Sequence, residues 1–305
     1  MNVLNLVTTL SPFFEDQVRI LEKKGVTTTT LTVPGRRSAQ DSRSFIDYVK
    51  FYHPTIRHSL KDYDIVHANY GLTGPFALAQ PRRPVVLTLW GSDLAGKYSR
   101  ISRICARLSD ETIVMSEEMR SDLWNAAHVV PHGVDMEKFQ PIDQSSAIDM
   151  VGWSPDSRHV LFPYDPSRPI KNFSLAESVV DQVREEVHVP VKLHRVYGVP
   201  HKEIPKYMNA ADALLLTSQR EGFPNSVKEA LACNLPVVST DVGGVRNHLS
   251  GVSTSYVGAT EQELIKYLRS VIKSDQRSNG RKHIADLSLD EMAEDILSVY
   301  RKALS

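Results

Sequence analysis

The sequence predicts an α/β protein made of two Rossmann-like, doubly wound parallel-sheet domains in series. Short β-branched runs alternate with longer amphipathic stretches, which is the pattern of repeated βαβ units. This alternation stops once, in the turn-rich stretch 131–155, and then restarts. The chain has 305 residues, which is enough for two domains of about 150 residues that each bury a full core.

The first half begins with a predicted strand at residues 3–7 and a helix at residues 13–24. Gly25 is expected to end that helix, because glycine adopts the left-handed conformation of a C′ residue without strain. Helical stretches then separate the remaining strands of this half, which are predicted at residues 26–33, 64–68, 85–89, 112–115 and 128–130.

The second half repeats the pattern after a linker expected near residues 135–155. Its strands are predicted at residues 160–162, 191–193, 213–216, 237–240 and 255–257. Its helices are predicted at residues 173–186, 203–211, 226–233 and 261–274. Ser288 and Glu291 form the capping-box pattern ahead of a final amphipathic helix, which either packs locally or crosses back to the first domain. We therefore expect an N-terminal domain at 1–145, a C-terminal domain at 146–287 and a C-terminal helix at 288–305.

Composition excludes several classes of protein. The 36 basic and 36 acidic residues cancel, which argues against a globally basic protein that coats nucleic acid. The two cysteines, Cys105 and Cys233, are far apart and favour a reducing, cytoplasmic compartment. The first nine residues lack a basic region and resemble a strand, and no run of about 18 apolar residues predicts a transmembrane helix.

The charge is distributed unevenly along the chain. Residues 1–107 hold 15 Lys and Arg against 8 Asp and Glu, a balance of +7, and the remainder holds 21 against 28, a balance of −7. Within the first part, side chains recurring every three or four positions form a basic row beside an apolar row, as on one helix; the residues concerned are Lys97, Arg100, Arg103 and Arg107, and Ile101, Ile104 and Leu108. Such a helix fits an anionic membrane surface or a lipid-linked acceptor, and equally fits an ordinary solvated surface.

The segment richest in chemistry follows the strand predicted at residues 213–216. Ligands of open α/β sheets bind at the carboxyl ends of strands, and a helix N-terminus offers N–H groups to an anion. Glu221 lies in the loop and Glu229 about one turn into the next helix, so two carboxylates face one ligand space. A capped helix with two solvated glutamates would show the same pattern.

These residues resemble the E-x(7)-E motif of retaining GT-B glycosyltransferases, specifically glycosyltransferase family 4 (glycosyl transferases group 1). The continuation of the segment through residue 244 is also similar to that family. Residues 131–135, Pro-His-Gly-Val-Asp, resemble its interdomain P-[NH]-G-V-D signature. Residues 88–93, Thr-Leu-Trp-Gly-Ser-Asp, resemble its T-x-H-G-x-D element. The four segments occur in the family's order and the resemblance spans most of the chain, from about residue 60 onward.

The resemblance implies a GT-B fold, in which two Rossmann-like domains face a cleft. It implies a C-domain that binds a nucleoside-diphosphate sugar, with Glu221 beside the donor sugar and Glu229 on the ribose hydroxyls. The sugar and phosphates would be lined by Phe223, Pro224, Asn225 and Ser226. The family's Arg and Lys on the diphosphate correspond to Arg168 and Lys171, which equally fit two surface cations in a proline-rich loop. The loop around Val199 is expected to contact the base.

The N-domain is expected to bind the acceptor, a glycan or a lipid-linked molecule. Trp90, Gly91 and Asp93 are the candidate acceptor residues. Two departures from the family's pattern stand here: Trp90 occupies a position where histidine is common, and the loop after the first strand, residues 8–14, has no glycine. Trp90 either stacks on a sugar or packs in the domain.

The sequence therefore predicts a metal-independent retaining glycosyltransferase of hexosyltransferase type, active in glycan biosynthesis in the cytoplasm and in peripheral contact with the inner membrane face. No cofactor is expected besides the donor substrate, and no metal, because no histidine pair has a third ligand nearby. Nucleic acid is not an expected partner. Two alternatives remain: a non-catalytic protein that binds a nucleotide sugar or a partner on the same scaffold, and a GT-B sugar epimerase.

Overall fold

The computed structural model describes residues 1–35, 43–82, 84–221 and 224–305. The chain divides into two compact units, one formed by Met1–His132 with Leu289–Ser305 and the other by Gly133–Ser288. Within the described residues each unit contains one sheet, of six strands in the first unit and five in the second, and every strand pairing is parallel. The predicted α/β class with two doubly wound sheets is confirmed.

The first unit has the strand order β2-β1-β3-β4-β5-β6. Its strands are β1 Asn2–Val7, β2 Thr27–Thr32, β3 Ile65–Ala68, β4 Val85–Leu89, β5 Glu111–Val114 and β6 His128–Val129. Its helices before the second unit are α1 Pro12–Lys23, α2 Phe45–Ser59, α3 Gly74–Ala79, α4 Gly91–Ala95, α5 Ser99–Leu108 and α6 Glu117–Ser121. Each strand predicted in this half matches one of these within about two residues.

The second unit has the strand order β11-β10-β9-β7-β8. Its strands are β7 Arg158–Phe162, β8 Val191–Arg195, β9 Ala213–Leu216, β10 Val237–Thr240 and β11 Tyr256–Gly258. Its helices are α7 Gln144–Val151, α8 Phe173–Glu186, α9 Ile204–Ala210, α10 Asn225–Ala232, α11 Val245–Leu249, α12 Glu261–Ser274 and α13 Gly280–His283. This is the order of flavodoxin-like doubly wound sheets, whose topological switch point lies between the first and third strands.

Local sequence signals explain several element boundaries. The Ser11 hydroxyl accepts a hydrogen bond from the Phe14 N–H at 3.2 Å and caps α1. The glycine-free loop after β1 is therefore a capped helix start. Gly25 has a φ of +87° after α1, as predicted. Asn234 takes the same left-handed region after α10, with a φ of +53°, a conformation that asparagine tolerates better than most residues.

The stretch predicted as a linker folds as part of the second unit. It contains α7, which is capped by the Asp143 carboxylate at the Ser146 N–H, at 2.9 Å, and is followed by left-handed Gly152. Val134 and Phe139 lie in the core of the second unit. The division between the units consequently falls between His132 and Gly133, earlier than the expected boundary between residues 145 and 146.

The final helix, α14 Leu289–Ala303, groups with the first unit. Its apolar face is buried in that unit's core and includes Met292, Ile296 and Tyr300. At the rim of the same helix, Lys24, the C-cap residue of α1, pairs with Glu294 at 2.8 Å. The Tyr300 hydroxyl reaches the buried His67 of β3 at 2.7 Å. This helix therefore completes the core of a unit whose other residues lie more than 150 positions earlier in the chain.

Among the described residues, every helix is too short or too polar to cross a lipid bilayer.

Candidate active site

The strongest cluster of charged side chains lies at the switch point of the second sheet. Strand β7 pairs with both β8 and β9, and the loops that follow β7 and β9 meet beyond the strand ends. The Gln219 N–H donates to the Ile170 carbonyl at 2.9 Å, and the Thr217 hydroxyl donates to the Lys171 carbonyl at 3.0 Å. Each loop therefore fixes the other, at the place where ligands of such sheets bind.

Lys171 and Glu221 form an ion pair between these two loops. Their side chains are only 6% and 14% exposed, so both charges are largely removed from water. The Ser218 hydroxyl donates to the same Glu221 oxygen, Oε1, at 2.7 Å. Burial lowers the pKa of Lys171, and the nearby Glu221 carboxylate opposes that shift. The structure thus brings two predicted site residues together, 50 positions apart in sequence.

Tyr164 completes this cluster and was not among the site residues predicted from the sequence. The Lys171 ammonium lies 3.7 Å from the centre of its ring, the geometry of a cation–π contact. The Tyr164 hydroxyl is hydrogen-bonded to the Ser226 hydroxyl on α10. Burial, followed by the charge of Glu221, raises the pKa of Tyr164, so the phenol stays protonated. An aromatic residue two positions after a predicted strand was the signal that could have identified it.

Glu229 is held on α10 by a second group of side chains. Its Oε1 lies 2.6 Å from His201 Nε2, and His201 Nδ1 lies 2.8 Å from the Lys138 ammonium. Lys138 lies three residues after the Pro131–Asp135 motif, and Asp135 accepts the Lys138 N–H at 3.0 Å. Glu229 was predicted from the sequence but neither His201 nor Lys138 was, because nothing local links these positions.

The N-terminus of α10 borders the same cluster. Pro224 precedes the helix as its N-cap residue, Asn225 is its first residue and Ser226 is buried. Phe223, predicted to line the donor, lies outside the described residues. Lys228, in the first half of α10, is 1% exposed, and burial lowers its pKa to about 7.

Arg168 and Val199 lie near the cluster but outside its ion pairs. Arg168 is exposed, and within the described part of the chain its side chain makes no ion pair or hydrogen bond. Its backbone N–H donates to the Asp165 carbonyl at 3.2 Å, which shapes the loop before Lys171. Val199 is half-buried and packs against the core of the second unit.

The three predicted acceptor residues lie together in the first unit, at the start of α4. Gly91 is the first residue of the helix. Asp93 is 4% exposed and accepts the Trp90 N–H at 2.7 Å and the Gly71 N–H at 3.1 Å. Burial raises the pKa of Asp93 to about 7, although both backbone N–H groups favour the carboxylate. The Trp90 indole N–H donates to the Asn69 carbonyl at 3.1 Å, and the ring packs against the core.

Uncharged polar side chains surround this position. Gln17 donates to Asn69 at 3.1 Å, and Asn69 donates to Asn5 at 3.0 Å. A cavity of about 10 Å³, at the lower limit of what can hold one water molecule, lies beside Trp90. Thr88, His132 and Gln17 supply its polar lining. The arrangement can exchange hydrogen bonds with hydroxyl groups, and within the described residues its buried acid, Asp93, is held by backbone N–H groups and not by a cation.

Across the described ranges of the chain, no group of three His, Cys, Asp or Glu side chains is arranged to hold a metal ion.

Comparison with known families matches both parts of the chain. The model of Glycosyltransferase Family 4 matches residues 7–138, and the model of glycosyl transferases group 1 matches residues 177–286. The chain is similar to the Bacillus subtilis glycosyltransferase TuaC, which is named for teichuronic acid biosynthesis, with 29% identity over 60% of this chain and 54% of TuaC. It is also similar to D-inositol 3-phosphate glycosyltransferase 1 of Catenulispora acidiphila, with 26% identity over 80% of this chain and 73% of that protein. The chain thus spans about half the length of TuaC.

Solved structures share the fold over nearly the whole chain. Sucrose-phosphate synthase from Thermosynechococcus elongatus superposes with a TM-score of 0.77 at 16% identity, covering 99% of both chains. Anabaena HepE, solved in complex with UDP and glucose, superposes with a TM-score of 0.74 at 16% identity, covering 98% of both chains. At this level of identity the similarity establishes the fold.

Proposed function

The chain belongs to the family 4 glycosyltransferases with the GT-B fold, and from that premise we propose that it moves a sugar from a nucleoside-diphosphate sugar to a glycan or lipid-linked acceptor. In this proposal the anomeric configuration is retained and no metal takes part. The observation that carries the proposal is the buried Lys171–Glu221 pair at the switch point of the second sheet. When a glycosyl–phosphate bond breaks, positive charge develops on the sugar and negative charge on the phosphate. Such a pair would supply one opposite charge for each.

Lys171 and Arg168 are the groups proposed to stabilise the departing diphosphate. The Lys171 ammonium is held by Glu221 and the Tyr164 ring, so it needs little reorganisation when negative charge develops nearby. Arg168 is exposed in the same loop and has a planar guanidinium suited to phosphate oxygens. Two cations can neutralise a leaving diphosphate without a metal ion.

Glu221 is the group proposed to stabilise positive charge on the reacting sugar carbon. Its carboxylate is oriented by Lys171 and by Ser218, and it is mostly shielded from water. An oriented carboxylate in a site of low polarity stabilises an oxocarbenium-like carbon more strongly than it would in water. The same carboxylate would bind the donor's sugar hydroxyls before the reaction. No pair of carboxylates needs to act as in a glycoside hydrolase.

The rest of the donor is proposed to lie along the start of α10. Glu229 would accept hydrogen bonds from the ribose hydroxyls, and Val199 would contact the base. The N–H groups of Asn225 and Ser226 would meet the phosphates and sugar, as anions favour a helix N-terminus. Pro224 would line the site without donating, because proline has no N–H. The solved HepE complex holds UDP and glucose on the same fold, which supports a nucleotide sugar as the ligand.

The acceptor is proposed to bind to the first unit near Trp90, Gly91 and Asp93. The uncharged amides around Asn69 and the indole face of Trp90 suit the hydroxyls and apolar faces of a sugar. Asp93 already accepts two backbone N–H groups, so its main contribution would be to hold the Trp90 backbone in place.

The first unit is also proposed to contact an anionic membrane surface, which would place the protein at the inner membrane face. Helix α5 exposes an apolar row, with Ile104 50% and Leu108 60% exposed, beside Arg100, Arg103 and Arg107. Arg103 donates to the Asp122 carbonyl at 2.9 Å, which brings the segment of Trp124, 59% exposed, next to α5. Exposed apolar and aromatic side chains beside arginines are typical of interfacial helices.

The membrane proposal is tested by co-sedimentation with vesicles of phosphatidylglycerol or phosphatidylcholine. We expect binding to the anionic vesicles, and loss of binding in the I104S/L108S variant. The I46S/V49S variant removes exposed apolar side chains from α2 of the same unit and should bind like wild type. Equal loss in both variants, or no binding by wild type, would contradict the proposed surface.

The transfer proposal is tested with a panel of uridine, guanosine and adenosine diphosphate sugars, following nucleoside diphosphate release with and without candidate acceptors. Acceptor-dependent release, with a product of unchanged anomeric configuration, is the expected result. Nucleotide-sugar binding without turnover would favour a non-catalytic protein on this scaffold. Release of nucleoside diphosphate together with an isomerised sugar, in the absence of any acceptor, would favour an epimerase.

A further inference from the structure

Three side chains of the second unit form a hydrogen-bonded line that ends at Glu229. The Lys138 ammonium lies 2.8 Å from His201 Nδ1, and His201 Nε2 lies 2.6 Å from Glu229 Oε1. An ammonium group can only donate, so Nδ1 must accept, and the ring proton is placed on Nε2. His201 therefore donates to Glu229, in a tautomer that Lys138 selects.

The line is fixed at its far end by the segment that follows the Pro131–Asp135 motif. Asp135 Oδ1 accepts the Glu137 N–H at 3.1 Å and the Lys138 N–H at 3.0 Å, which closes a turn. Phe139 is buried in the core, and its ring centre lies 5.4 Å from that of His201. The Lys138 backbone is thus held by hydrogen bonds to Asp135 and the His201 ring by its contact with Phe139, and neither depends on a ligand.

Glu229 is mostly buried, with a side chain 9% exposed, and His201 is 17% exposed. In the described part of the chain, His201 is the side chain that forms a hydrogen bond with the Glu229 carboxylate. A carboxylate held through one oxygen has a set orientation for its second oxygen. Binding the two adjacent hydroxyls of a ribose requires such an orientation, and a group that is already oriented loses less entropy on binding.

We propose that His201 is a positioning residue, which together with Lys138 orients the Glu229 carboxylate to accept hydrogen bonds from the ribose hydroxyls of the donor nucleotide. This inference rests on the proposed donor site. It adds that the segment after the Pro131–Asp135 motif acts on ribose recognition through His201. The recognised chemistry is a vicinal diol, so His201 contributes to discrimination between ribonucleotides and nucleotides that lack those hydroxyls.

The experiment measures binding by isothermal titration calorimetry. The probes are the tightest-binding of uridine, guanosine and adenosine diphosphate, and the 2′,3′-dideoxy form of the same nucleotide. Wild type is expected to bind the ribonucleotide at least roughly tenfold more tightly, as for hydrogen bonds to a charged group. In H201F, which keeps a ring beside Phe139, the ribonucleotide should weaken roughly tenfold while the dideoxy nucleotide changes by less than about twofold.

Two further variants separate positioning from general structure. H201Q retains an N–H donor and should recover part of the ribose discrimination. K138M should lose discrimination in the same direction as H201F, whereas K202M, which removes an exposed charge from the adjacent position, should behave like wild type. E229Q provides the reference for a damaged ribose contact.

The outcomes distinguish this inference from the proposed function. If wild type binds none of the nucleotides, the donor site and this inference both fail. If wild type discriminates and H201F and K138M discriminate equally well, the inference is wrong and the donor site stands. Equal weakening of both nucleotides in H201F and H201Q would assign His201 a purely structural role and would also overturn it.

Discussion

In the second unit, the loops after β7 and β9 bring together the buried charges of Lys171 and Glu221. In the first unit, the corresponding strands, β1 and β3, end among the uncharged amides of Asn5, Asn69 and Gln17. Both sheets present polar groups at a switch point. Among the described residues, buried charges are paired at the switch point of the second sheet and not at that of the first. Burying charge is costly even when the charges are paired, so the second unit gives up stability at its switch point.

The difference fits two kinds of ligand. A diphosphate carries charge and gains more when its bond to the sugar breaks, so it benefits from cations that are already oriented. A sugar hydroxyl is neutral and is matched by amides and an indole ring. The comparison therefore supports the assignment of the donor to the second unit and the acceptor to the first.

The largest expected effect comes from removing the charges of the second unit. In E221Q, and in the R168A/K171A double variant, we expect transfer to fall by roughly 10²–10³-fold in kcat, as for the loss of an oriented electrostatic group. Initial rates of nucleoside diphosphate release measure this. K273A removes an exposed lysine of the same unit and should keep the wild-type rate. Full activity of R168A/K171A would refute the assignment of these cations to the leaving group.

Acid should destabilise the protein through the buried His67 and the half-buried His194, while protonation of Asp93, whose pKa burial raises to about 7, opposes the effect in the first unit. Burial lowers the pKa of His67, in the first unit, to about 3 and that of His194, in the second, to about 4. The unfolded chain therefore binds more protons than the folded chain below the ordinary histidine pKa of about 6.5. The contribution of each histidine to the free energy of unfolding is complete above that pH. It is lost as the pH falls towards 4, by about 1.4 kcal/mol per pH unit for each histidine.

Urea unfolding between pH 8 and pH 4.5, followed by circular dichroism, measures this slope. H194F should keep the stacking against Trp153, whose ring centre lies 3.6 Å away, and should show a shallower slope. H188Q, at an exposed position, is the matched control. A slope in H194F equal to that of wild type would contradict the role of His194.

The buried hydrogen bond between Tyr300 and His67 in the first unit is tested by Y300F. This change removes the hydroxyl that bonds His67 Nδ1 at 2.7 Å and leaves a buried ring nitrogen without that partner. We expect the free energy of unfolding to fall by about 1–3 kcal/mol. The measurement is urea denaturation at pH 8, with Y52F, an exposed tyrosine on α2, as the control. A change smaller than that of Y52F would show that the hydrogen bond contributes nothing net.

The smallest expected effect is that of W90F. It removes the indole N–H that donates to the Asn69 carbonyl, and we expect a loss of about 0.5–1.5 kcal/mol in the free energy of unfolding. If the first unit binds the acceptor, the KM for the acceptor should rise while donor binding stays unchanged. A rise in the Kd for the nucleotide with an unchanged acceptor KM would reverse the assignment of the two units.

Much of the fold was predictable because its signals are local. The alternation of apolar runs and amphipathic stretches located the strands, and Gly25 follows a helix in the left-handed conformation expected of it. Helix α7 was missed even though Asp143, Ser146 and Gly152 are a cap, its partner and a C′ glycine. The turn-like composition of that stretch concealed the helix, whose buried residue is Ala147 and whose stability comes from packing.

The sequence by itself determined the order of the elements, the α/β class and the positions of Glu221 and Glu229, because these depend on residues close together in the chain. The tertiary structure decided which side chains meet. Lys171 reaches Glu221 across 50 positions, Lys138 reaches His201 across 63, and His67 reaches Tyr300 across 233. Burial and pairing depend on how distant elements pack, so the ionisation of Lys171 and the orientation of Glu229 follow from the fold and cannot be deduced from local pattern.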